Sequence, residues 1–112
     1  LTPKGTGSVG LAKAAYGAST ITANGAASTA ASLIICNKGS ALAVSLANGT
    51  TDGEFKIFTN KGAGEATITP DNFANGTSFT LLQNNATQCI WDGSNWFMLN
   101  GADSSSTGIS IT

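Results

Sequence analysis

Short apolar runs set between Gly and Asn turns recur along this chain, strictly alternating with small or polar residues over Ala41 to Ala47, and no stretch has the spacing of an amphipathic helix. The clearest stretch is Gln88-Cys89-Ile90-Trp91-Asp92-Gly93-Ser94-Asn95-Trp96-Phe97-Met98-Leu99. A two-residue turn at Gly93-Ser94, with glycine first, suits the mirror-image turns that match strand twist. That turn predicts Trp91 opposite Trp96, Ile90 opposite Phe97 and Cys89 opposite Met98. Side chains alternate faces, so Cys89, Trp91, Trp96 and Met98 share one side while Ile90, Phe97 and Leu99 share the other. Both sides are apolar. One is expected to face the domain's core, and the other to need a second layer or a partner chain.

The same pattern recurs upstream. Leu33-Ile34-Ile35-Cys36 is a short apolar run, Asn37-Lys38-Gly39-Ser40 reads as a turn, and Ala41 to Ala47 alternates with Leu42, Val44 and Leu46 on one face. Together they predict a second hairpin, whose other face (Ala41, Ala43, Ser45, Ala47) is small enough for close approach. Further strands are expected within residues 14–23, 54–60, 65–69 and 78–83, with Pro70 ending the third of these runs because it cannot donate to a ladder. Residues 26–32 read as loop or strand edge, and Gly108 to Thr112 as an edge or swapped strand. Eight or nine short strands between Gly and Asn turns predict an all-β antiparallel β-sandwich, jelly-roll-like or related. Its expected layout is an N-terminal arm over residues 1–13, with Pro3 and three glycines, and a single domain over 14–112. Ser19-Thr20-Ile21-Thr22 recurs as Ala66-Thr67-Ile68-Thr69, a faint echo of a duplicated half.

Composition narrows the chemistry. The 112 residues carry six acids, five lysines, no arginine and no histidine, so charged residues are only 10% against about 25% in ordinary domains. Histidine-based triads and metal sites are thereby excluded. Without arginine, and with a net charge of -1, nucleic acid is not an expected partner. No apolar run approaches the roughly 20 residues of a membrane span, and no membrane partner is expected. The chain starts at Leu1 with no charged segment leading into an apolar one, so no signal peptide is expected. An amide- and hydroxyl-rich surface of this kind fits extracellular, virion or fibre proteins.

The runs from Gly49-Thr50-Thr51-Asp52-Gly53-Glu54 through Gly64-Glu65-Ala66-Thr67-Ile68-Thr69-Pro70, Asn75-Gly76-Thr77 and Gly93-Ser94-Asn95-Trp96 resemble a module of bacteriophage structural proteins. That module occurs in capsid decoration proteins and tail-associated fibres, particularly of marine phages. The resemblance covers about half the chain and lies in turn and hairpin chemistry; residues 1–48 stand outside it. It implies a non-enzymatic virion structural protein made in the host cytoplasm. The first expectation is a capsid decoration protein that cements the head surface, with the major capsid protein or other virion proteins as partners. The alternative is a tail-fibre or receptor-binding module contacting host glycans. The uncovered apolar face of the hairpin predicts a homo-oligomer, and the resemblance implies that it is a trimer, as in many such proteins.

No residue set reads as catalytic, and no cofactor or metal is expected. Asp52, Glu54, Glu65, Asp71 and Asp92 lack the alternating spacing of a calcium loop and are each read as starting a turn or a solvated strand edge. Cys36 and Cys89 are either a strand-pinning disulfide or two buried thiols, and folding in a reducing cytoplasm favours the thiols. Trp91, Trp96 and Tyr16 are either a sugar-stacking platform or packing residues, with packing favoured. The residues expected to serve oligomer or packing contacts are Trp91, Trp96, Met98, Phe97, Ala41 and Ala43.

Overall fold

Short β-branched and aromatic runs set between turn residues form strands throughout, and none forms a helix among residues 12–99, which the computed structural model describes. One sheet has five strands in the order β1 (Ala18–Ile21), β3 (Leu33–Cys36), β5 (Phe55–Asn60), β8 (Asn85–Trp91) and β9 (Trp96–Met98). The other has four, in the order β2 (Gly25–Ala26), β4 (Leu42–Leu46), β6 (Ala66–Pro70) and β7 (Phe79–Leu81). The fold is all-β, with two sheets packed on one core. The expected arm over 1–13 falls almost wholly outside the described residues, and the expected strand at 108–112 falls entirely outside them.

The antiparallel expectation holds for the C-terminal part only. β7 runs antiparallel to β6, β8 to β5 and β9 to β8, whereas β1, β3 and β5 are parallel, as are β2, β4 and β6. Both sheets are therefore mixed. The chain winds alternately through the two sheets as a two-sheet solenoid rather than a jelly roll, then doubles back over its last three strands. Leu33 to Ala47 is accordingly not a hairpin: β3 and β4 lie in different sheets, and Asn37 to Ser40 turns a corner between them. The echo of residues 19–22 in 66–69 is not structural either, since β1 and β6 belong to different sheets. The coil from β3 and β4 to β5 and β6 is 24 residues long and places Leu33 beside Ile57 and Leu42 beside Ala66, whereas the coil before it advances 15 residues from Ala18 to Leu33 and 19 from Gly25 to Val44. Asn48 and Asn72 have the spacing of the longer coil, and the Asn72 side-chain amide donates to Asn48 Oδ1 at 2.9 Å.

Alternation sends one side chain in two between the sheets. Ile34, Cys36, Phe58, Cys89, Trp91 and Trp96 meet Leu42, Val44, Leu46, Ile68, Phe79 and Leu81 there, all buried. Three polar residues also point inward. Asn60 is satisfied: its Nδ2 donates to Gly64 O (2.9 Å) and Leu81 O (2.8 Å), and its Oδ1 accepts from Gly62 N (3.0 Å). This side chain fixes the corner after β5. Lys56 donates through Nζ to Ser28 O at 2.6 Å and to Ala31 O, tying the β2–β3 connection to β5. Burial pushes its pKa below the ordinary lysine value, against a smaller upward pull from the Glu54 carboxylate.

Thr87 is the exception. It lies opposite Phe58, and its Oγ1 is the one buried side-chain polar atom among the described residues without a hydrogen-bond partner. An unmatched buried hydroxyl costs about 1–3 kcal/mol, and valine has nearly the same shape. Thr87→Val is expected to stabilise the fold by about 1 kcal/mol. Urea unfolding measures this, and a midpoint at or below that of the wild type would contradict it.

Candidate interaction surface

The Gly93-Ser94 hairpin has the register its turn predicts: Cys89 pairs with Met98, Ile90 with Phe97 and Trp91 with Trp96. Its turn is built locally. Asp92 Oδ1 accepts from Ser94 N and Asn95 N, both at 2.8 Å, while Gly93 takes a φ of 103°, which favours glycine. The Asn95 and Ser94 amides hold the Asp92 carboxyl below its ordinary pKa. Glu54 closes the preceding turn in the same way, its Oε1 accepting from Thr50 N (2.8 Å) and Thr51 N (3.3 Å). These two carboxylates are occupied with backbone amides. Among the described residues, no group of three or more His, Cys, Asp or Glu could hold a metal ion.

The two tryptophans face the core. Their ring centroids lie 5.4 Å apart, and Trp96 Nε1 donates to Ala47 O at 2.9 Å across the sandwich. Met98 is buried beside them. Trp91, Trp96 and Met98 are therefore packing residues of this domain. Tyr16 lies elsewhere, edge-on to Phe55 with centroids 5.0 Å apart, so the three aromatics form no common platform. Cys36 and Cys89 do not meet. Cys36 pairs with Asn60 and Cys89 with Lys56, which places them on strands flanking β5 and four rungs apart along it. At about 4.8 Å per strand and 3.3 Å per residue, that separation far exceeds the roughly 7 Å limit for a disulfide. Both are free, fully buried thiols, and burial pushes their pKa up to about 11 and about 12.

What remains is the outer face of the five-stranded sheet. Row by row, Phe55, Ile90 and Phe97 lie side by side, as do Leu33, Ile57 and Gln88, with Leu99 N donating to Gln88 O at 2.9 Å beyond them. Ile35 and Thr59 form the next row. Tyr16, Phe97 and Leu99 are 56%, 40% and 59% exposed, and Leu33, Ile35, Phe55, Ile57 and Ile90 are half-buried. None of these positions is charged. Ile57, Gln88 and Leu99 border a shallow hollow of about 250 Å³. Rows two residues apart on strands about 4.8 Å apart make a patch on the order of several hundred Å², the size at which exposed apolar surface on a monomer marks an interaction site.

The opposite outer face differs in kind. Ala41, Ala43, Ser45 and Ala47 are all exposed there, next to Thr67 and Thr69 of β6. Thr67 Oγ1 and Thr80 Oγ1 lie 3.2 Å apart. Phe97 and the Ala41/Ala43 pair, grouped by sequence, thus stand on opposite sides of the sandwich. Sequence reasoning missed Tyr16, Leu33, Ile35, Phe55 and Ile57 as part of the apolar face. The 24-residue recurrence of Leu33-Ile34-Ile35 as Ile57-Phe58-Thr59 is the signal that would have placed three of them together. In comparisons with known proteins, no family model, no curated protein and no solved structure matches the chain.

Proposed function

We propose that the chain is a non-enzymatic structural module of a bacteriophage virion, a capsid decoration protein whose five-stranded sheet is covered on its outer face by a neighbouring copy and by the shell. The observation that carries this reading is the uncharged apolar face made by Tyr16, Leu33, Phe55, Ile57, Ile90, Phe97 and Leu99. The described residues close one core between the two sheets, and an apolar face of this size outside it is the kind that another molecule covers. The turn motifs around Gly53, Pro70 and Gly93 support the virion setting through their resemblance to phage modules, and a trimer built on this face is the state that resemblance implies. Low charge favours the same role, since many copies can crowd on a shell without strong repulsion.

The test mixes the purified full chain with empty capsids. The wild type is expected to co-sediment with the shells and raise their melting temperature. Phe97→Glu with Leu99→Glu is expected to abolish both effects while the far-ultraviolet circular dichroism stays that of the wild type. Binding to host cells or glycans with no effect on the shell would replace this reading with the tail-fibre one. A wild-type chain that stays monomeric at micromolar concentration and ignores shells would end both.

A further inference from the structure

The two ends of the solenoid are finished differently. At the C-terminal end the edge strand β9 is strapped by the segment before β7: Trp96 N donates to Asn72 O (2.8 Å), Ala74 N to Trp96 O (2.9 Å) and Met98 N to Asn75 Oδ1 (2.9 Å). Phe73 in that strap packs against the core. At the other end, β1 pairs with β3 and with no other strand among the described residues. Gly17 O and Ile21 O accept from Leu33 N and Asn37 N, so the alternation of a parallel ladder turns the N–H and C=O groups of Ala18 and Thr20 away from the sheet. β2 ends the other sheet at the same end.

Natural edge strands are usually blunted by lysine, proline or a bulge. β1, Ala18-Ser19-Thr20-Ile21, has no charge and no proline, and it pairs with β3 in unbroken register. We propose that this edge pairs with the β1 of a second copy. The two five-stranded sheets would then join antiparallel across a two-fold axis into one ten-stranded sheet. The outward amides and carbonyls of Ala18 and Thr20 would be satisfied reciprocally. The occupant follows from the asymmetry of the sheet. Stacking the β1 of one copy on the β9 of the next would build a filament, but the 72–75 strap already occupies that edge. Among the described residues, the open edge left on another copy's five-stranded sheet is its own β1, so the contact is isologous and stops at two. With the axis normal to the sheet, the apolar outer faces of both copies lie on one side and form a single wider surface. This inference stands apart from the proposed role of that surface, because the edge and the face use different groups.

The experiment follows amide exchange by nuclear magnetic resonance, with sedimentation equilibrium, on the full chain over a dilution series. The Ala18 and Thr20 amides are expected to exchange slowly in the assembled protein and rapidly on dilution. Thr20→Pro deletes an outward N–H and no bond to β3, a position an edge strand tolerates. It is expected to halve the assembled mass. Phe97→Glu with Leu99→Glu acts on the face and is expected to leave the two-fold pair in place, so failure of the pair and failure of the face are separately visible. Unprotected Ala18 and Thr20 amides at every concentration would overturn the pairing. So would protection that persists in the monomer, where residues 1–11 become the occupant, or a Thr20→Pro variant of unchanged mass. The exchange measurement needs no variant and decides the matter if Thr20→Pro does not fold.

Discussion

Trp96→Ala is expected to lower the free energy of unfolding by about 3–5 kcal/mol, a large share of the 5–15 kcal/mol that holds a typical domain together. Trp96 is completely buried, packs on Trp91, and donates its Nε1–H to Ala47 O, so its indole joins the two sheets. Its backbone carries two of the bonds to the 72–75 strap. Loss of the ring leaves a cavity at the strapped end and an unmatched carbonyl at Ala47. Trp96→Phe keeps most of the apolar contact but not the N–H, so it is expected to fall between wild type and alanine. Urea unfolding ranks the three. An alanine variant within about 1 kcal/mol of the wild type would mean that this ring is not central to the core.

Gly64→Ala is expected to destabilise by about 3 kcal/mol or more, for a different reason. A Cβ at Gly64 would lie 1.8 Å from Ser40 O, backbone that cannot swing aside, and one at Gly62 would lie 2.4 Å from Lys38 N. Successive corners of the solenoid stack here in direct backbone contact, with Gly64 N donating to Lys38 O at 3.0 Å and Gly64 O accepting from Asn60 Nδ2. A methyl group pushes the corners apart and breaks these bonds. Gly39, in the corner below, meets nothing within 4 Å, so Gly39→Ala is expected to change stability by less than about 0.5 kcal/mol. Equal effects at the two positions in thermal or urea unfolding would show that corner stacking is not what requires glycine at 64.

The contrast between these two sites separates what was local from what was not. The hairpin from Gln88 to Leu99 was legible residue by residue, because a two-residue turn with glycine at its first central position fixes the register of the strands on either side. The sequence also showed that Cys89, Trp91, Trp96 and Met98 part company with Ile90, Phe97 and Leu99; the first group is the core and the second is exposed or half-buried. Turn chemistry at Glu54 and Asp92 was equally readable, because an Asp or Glu carboxylate bonds to amides only two to four residues away.

Pairing between distant strands was another matter. The residues Asn37-Lys38-Gly39-Ser40 suit a hairpin reversal and a solenoid corner alike, and nothing within that window says whether the chain returns to the same sheet or crosses to the other. Only the 24-residue coil decides it, and substitution blurs that repeat: Ile35 answers to Thr59, Cys36 to Asn60, and Leu42 to Ala66. Parallel pairing is held by contacts that exist only after the coil has closed, such as Asn72 on Asn48 and Gly64 against Ser40. The functional surface divides the same way. Sequence alone determined that the hairpin would leave an apolar face uncovered. The tertiary structure decided that Tyr16, Leu33, Phe55 and Ile57 extend that face, because side chains more than 20 residues apart become neighbours only through long-range strand register, parallel from β3 to β5 and antiparallel from β5 to β8.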